Sequence, residues 1–213
     1  MKRILLLILV VALSTGASGQ KSRVLAVFQM IDQAKYEEAK ESIELAVWND
    51  KTSRWHRTYY AKGLLCQTAY EDGYEEKDAK KTGLYPDQLY IAYDSYERAL
   101  ELDVRGRLRT LISNKYYYLS NDFRRLGQDL FEKEQYKKSL RAFEHALLVN
   151  NSKLVNARVD TNLIYNTAIA AYESGDWAKA IGYLTGLHED GHDPSTSLLL
   201  YKAIMENGDT ARA

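Results

Sequence analysis

Residues 123–151 read FRRLGQDLFEKEQYKKSLRAFEHALLVNN. Phe123, Leu126, Gly127 and Leu130 recur at spacings of three, one and three, which is one face of a 3.6-residue helix. Tyr136, Ser139, Phe143 and Ala146 follow at three, four and three, the face of a second helix. The pattern predicts two short helices folded back on each other. Gly127 and Ser139 are small enough for the backbones to approach, and Phe143 with Leu130 is expected to fill the seam.

The same pairing extends in both directions. Upstream, Val24, Val27 and Ile31 mark one helix, and Tyr36, Ala39, Ile43 and Ala46 mark its partner. A second pair opens near Arg54 with Tyr59, Gly63 and Cys66, and returns as YIAYDSYERALEL with Ala92, Tyr96 and Ala99 at small, large and small positions. Between its helices lies EDGYEEKDAKKTGLYPD, polar and holding Gly73, Gly83 and Pro86, which predicts a surface loop over 72–87. Pro86 suits the first turn of the returning helix. The approach to Phe123, with Tyr116, Tyr117 and Tyr118, reads as one long helix or as two broken near Ser120 and Asn121. Downstream, Asp160 is the expected N-cap of a helix, and Ala168, Ala171, Ala180, Leu184 and Leu187 keep the register across a Gly175-Asp176 turn. Trp177 then matches Tyr136 and Tyr36. Asp193 and Pro194 start a last helix whose sequence repeats the preceding unit at a period of 33, with Gly208-Asp209 where Gly175-Asp176 stood and Ala213 where Ala180 stood. Either this helix caps the array or the sequence is the front of a longer protein; Leu198, Leu199, Tyr201 and Ile204 offer more apolar face than one neighbour covers, which favours the second.

Laid against the tetratricopeptide (TPR) pattern of aromatic, Leu-Gly, Tyr, then Ala, Phe, Ala, residues 123–151 fall in register. The chain resembles a TPR protein. The resemblance implies an all-α, right-handed α-solenoid of about four stacked hairpins, roughly 21–49, 54–103, 108–150 and 160–188, with a trailing helix over 194–207. The first hairpin lacks the Leu-Gly pair, as terminal repeats often do. The resemblance also implies a concave face lined by the first helix of each hairpin. Its positions here are Tyr60, Asn121, Arg124, Gln128, Asn162, Tyr165, Asn166 and Lys202. A guanidinium fork, rigid phenol rings and amides suit recognition of a protein or peptide, and Arg124 and Tyr165 are the expected anchors. The Lys and Asn pattern by which some relatives grip a C-terminal carboxylate is not reproduced.

Composition narrows the classes. The chain has 213 residues, 46% apolar and 27% charged, with two prolines, as suits a soluble helical protein. Its 29 basic and 29 acidic residues make no field that favours nucleic acid or anionic lipid. The 17 tyrosines either fill seams between helices or form a recognition surface. Cys66 is the one cysteine, so no disulfide can form within the chain; its inward position and lack of an adjacent base predict a structural thiol.

Residues 1–19 read as a cleavable signal peptide: Lys2 and Arg3, an apolar run over 4–13, then a small-residue tail ending Ala17, Ser18, Gly19. Cleavage is expected before Gln20. The run is too short to span a bilayer, and no cysteine stands at the cleavage region to take a lipid anchor. Such a leader followed by Gln resembles those of Bacteroidetes-type bacteria and places the mature chain in the periplasm or outside the cell. Its loss leaves 27 basic against 29 acidic residues, a net charge of −2.

One stretch matches a catalytic motif. His188-Glu189-Asp190-Gly191-His192 fits H-E-x-x-H, which binds zinc through two histidines one helical turn apart. Gly191 and the following Asp193-Pro194 predict a turn instead. No G-x-S-x-G, phosphate loop or other catalytic pattern occurs, and no cofactor is expected. The sequence thus points to a non-catalytic protein- or peptide-binding scaffold of the cell envelope. A self-associating structural module is the alternative, and a zinc hydrolase the third.

Overall fold

The structure, a computed structural model, describes residues 19–155, 158–191 and 193–208. The expected leader up to residue 18, His192, Asp209 and Ala213 lie outside them. The described regular structure is all α. Helix α1 covers 19–32. It is followed by α2 (Tyr36–Trp48), α3 (His56–Glu76), α4 (Ala79–Thr82), α5 (Gln88–Leu102), α6 (Arg109–Glu132), α7 (Tyr136–Asn150), α8 (Thr161–Glu173), α9 (Trp177–Glu189) and α10 (Pro194–Glu206). No described helix is long and apolar enough to cross a membrane. Contacts gather into two compact units, Met1–Ile112 and Ser113–Ala213, divided in the first turn of α6.

In the first unit, the periodic residues of the sequence are the core. Val24, Val27, Ile31, Tyr36, Ala39, Ile43 and Ala46 are buried along α1 and α2. Helices α3 and α5 pack together, and Gly63 lets them approach. A Cβ there would lie 2.7 Å from the ring of Tyr96, which is fully buried and donates its hydroxyl to Gln67 Oε1 at 2.9 Å.

The stretch expected as a surface loop is not one. Helix α3 runs on to Glu76, α4 follows at once, and Leu84 and Tyr85 are buried. Gly73 permits this, because a Cβ there would meet Lys81 Cβ at 2.6 Å and the Thr82 backbone nitrogen at 2.7 Å. Tyr85 is a peg: the amines of Lys40 and Lys62 lie 4.8 and 5.6 Å from its ring centre, and its hydroxyl donates to Glu44 at 2.8 Å. Gln88 ties the segment down by donating to the Cys66 and Lys81 carbonyls at 2.8 and 3.0 Å. Pro86 precedes Asp87, the N-cap of α5, and so lies before the helix rather than in its first turn.

Cys66 is fully buried beneath this segment, and burial pushes its thiol from 9.0 up to about 12. The folded unit therefore holds this proton more tightly than the unfolded chain. The resulting stability is complete below about pH 9 and is lost as pH rises toward about 12. Thermal melts stepped upward through this range should show the first unit's unfolding temperature flat, then falling. In Cys66→Ala the fall should begin later, nearer the tyrosine range of about 10; an unmoved onset would show that the thiol is not the first group to titrate.

The second unit repeats the lock. Helix α6 is continuous through Ser120 and Asn121, which resolves the reading in favour of one long helix. A Cβ on Gly127 would lie 2.7 Å from the Phe143 ring, and Ser139 Oγ donates to the Gly127 carbonyl at 2.8 Å. Phe143 is 2% exposed, whereas Leu130 is only half-buried, so the phenyl ring fills this seam. Helix α7 packs on α8, α8 on α9 and α9 on α10. Ala168, Ala171, Ala180, Leu184 and Leu187 are buried as their spacing predicts. Asp160 and Asp193 cap α8 and α10 through their side chains, with Pro194 in the first turn of α10.

One turn geometry recurs in both units. Ala34, Glu134 and Gly175 all adopt left-handed backbone, at φ of 55°, 56° and 80°, two residues before Tyr36, Tyr136 and Trp177. The next residue's N–H then bonds a carbonyl five positions back: Lys35 to Met30, Gln135 to Leu130 and Asp176 to Ala171, at 2.8, 2.9 and 2.9 Å.

Candidate functional site

Helices α6 and α8 run side by side in one direction. The carboxylate of Asp160 accepts the Leu163 N–H at 2.9 Å, which begins α8, and also takes the Arg124 guanidinium of α6 in an ion pair. One turn further along, the two helices part enough to leave an open cleft of about 180 Å³. Phe131, Phe143 and Ile169 supply its apolar lining, and Gln128, Glu132 and Asn166 its polar edge. Neither the Gln128 nor the Asn166 amide spends its hydrogen bonds on a described residue.

Of the eight expected site residues, Gln128 and Asn166 are therefore brought together on one cleft. Arg124 neighbours them and ties α6 to the start of α8. Its Nη2 pairs with Asp160, and its Nε is buried with no acceptor among the described residues. Tyr165 places its hydroxyl 3.2 Å from Ser195 Oγ in the first turn of α10, joining α8 to α10. Asn121 turns back to donate to the Tyr117 carbonyl at 3.3 Å. Asn162 and Lys202 are exposed on α8 and α10. Tyr60 belongs to the first unit, half-buried between Phe28 and Tyr96 at ring distances of 5.9 and 6.0 Å, and burial raises its pKa. Reading the sequence by type missed Phe131 and Ile169. Each lies three residues beyond a polar site residue, and that helical spacing was the available signal.

The H-E-x-x-H stretch does not lie on a continuous helix. Helix α9 ends at Glu189, Asp190 is its C-cap, and Gly191 turns left-handed at φ 71°. His188 Nδ1 lies 2.9 Å from Ser197 Oγ. Among the described residues, no three His, Cys, Asp or Glu side chains gather to hold a metal ion. A second depression, between α7 and α9, satisfies its own central charge: Glu144 takes Lys179 at 2.7 Å and the Tyr183 hydroxyl at 3.2 Å. Burial first, then Glu144, raises the Tyr183 phenol to about 12.

No family model matches this chain, and no curated protein matches it.

Proposed function

We propose that the chain is an exported TPR-like repeat protein, a right-handed solenoid that binds a protein or peptide segment and performs no chemistry of its own. The observation that carries this reading is the α6–α8 cleft: an apolar floor edged by two amides that no described residue satisfies. A glutamine and an asparagine so placed can each pair with a peptide backbone while an apolar side chain enters the floor. Two further features support the family. The small-residue and aromatic lock occurs twice, as Gly63 with Tyr96 and Gly127 with Phe143, and the left-handed turn occurs three times. The leader over residues 1–19 supports a periplasmic or secreted location.

Panning a random peptide library on the intact chain tests the reading. Peptides should enrich, and their binding should be lost in Ile169→Asp, which puts a charge on the cleft floor. It should survive Lys137→Glu, on the α7–α9 side. Enriched peptides indifferent to Ile169→Asp, with the fold of that variant intact by circular dichroism, would overturn the cleft as the binding site.

A further inference from the structure

The edge of the cleft carries a charge pattern that identifies what it would take. Helices α6, α8 and α10 end in the same residue type, Glu132, Glu173 and Glu206. Glu132 lies on the cleft itself. Ion pairing of Arg124 with Asp160 ties α6 to α8, and the Tyr165–Ser195 contact ties α8 to α10, so the three carboxylates end three successively linked helices. All three are exposed, and none is paired with a described cation. Each also sits at the end of its helix where the backbone dipole is already negative and no basic residue occupies the last turn. Lys133 and Lys202 are the nearest cations in sequence, and both are exposed without an ion pair to a described residue.

Building on the peptide-binding reading above, we propose that the α6–α8 cleft and these three carboxylates take one extended, basic peptide segment with a single large apolar side chain. The size of the cleft selects one side chain: about 180 Å³ is comparable to cavities of about 150 Å³ that accept a benzene ring. An extended chain rises about 3.3 Å per residue, so a few residues carry it from one helix to the next. Lysine or arginine at every third position would therefore meet successive carboxylates while the apolar residue fills the floor between α6 and α8.

Fluorescence anisotropy with defined probes on the intact chain tests this. The first probe is a peptide with one central Phe and Lys at every third position. Its counterparts replace each Lys by Glu, replace Phe by Ser, or move the same lysines into one block. The spaced Lys peptide should bind at least about tenfold more tightly than the Glu and blocked peptides, and more weakly as salt rises. The triple variant Glu132→Gln, Glu173→Gln, Glu206→Gln, which changes exposed side chains only, should lose about tenfold for the Lys peptide. Gln128→Arg, another exposed change, should repel it. If the Lys peptide does not bind, or if Lys and Glu peptides bind alike, the proposal is overturned. Should the triple variant bind unchanged while Ile169→Asp abolishes binding, the basic preference is wrong and the cleft reading stands. Binding indifferent to both variants would sink both.

Discussion

Phe143→Ala is expected to cost the second unit about 3–5 kcal/mol, the usual range for deleting a buried phenyl ring. Phe143 is 2% exposed and its ring stands against bare backbone at Gly127. The partner substitution makes the test sharper. Gly127→Ala alone places a methyl 2.7 Å from the ring and must push ring or helix aside, at about 1–3 kcal/mol, against about 1 kcal/mol gained from helix propensity. In the Phe143→Ala background the obstruction is gone, and Gly127→Ala should become stabilising by about 1 kcal/mol. Hydrogen exchange of α6 and α7 amides reads both effects within the unit. A glycine substitution with the same sign in both backgrounds would show that ring and glycine are not in contact.

Tyr85→Ala should cost the first unit about 3 kcal/mol. The side chain is 9% exposed, wedged between Lys40 and Lys62, and its hydroxyl bonds Glu44. Tyr85→Phe keeps the wedge and removes only the hydroxyl, so it should cost about 1 kcal/mol, the more so because Lys62 still holds Glu44 at 2.9 Å. Burial and then Glu44 hold the phenol protonated well above the ordinary tyrosine range, so the hydroxyl donates throughout physiological pH. Urea melts of the two variants, read as exchange protection across α3 and α5, separate packing from hydrogen bonding. A cost under about 1 kcal/mol for Tyr85→Ala would mean that 72–87 behaves as the solvated loop its composition suggests.

The helices and their buried faces were legible because a 3.6-residue repeat of apolar positions is a local property. Val24, Val27, Ile31 and the set from Tyr36 to Ala46 could be assigned to the core without knowing what they face. The caps at Asp160 and Asp193 were legible for the same reason, since each acts on backbone two or three residues away. Only one of the three left-handed turns carried its glycine. At Ala34 and Glu134 the conformation is imposed by the helices on either side, and the residue type does not announce it.

Composition misled at 72–87, where Lys, Asp, Gly and Pro read as loop. Its burial depends on an absent side chain at Gly73 and on three charged groups around Tyr85, partners that no local window contains. Arg124 was legible as a residue type on a helical stripe, but its acceptor lies 36 positions further along the chain, outside any local window. Gln128 and Asn166 were legible as polar residues on that stripe. That they edge one cleft while Asn121 and Tyr165 make other contacts was decided by how α6, α7 and α8 come together. A helical period determines which way a side chain leaves its own axis; what it meets is determined by the neighbouring helix, and only tertiary structure brings that neighbour into place.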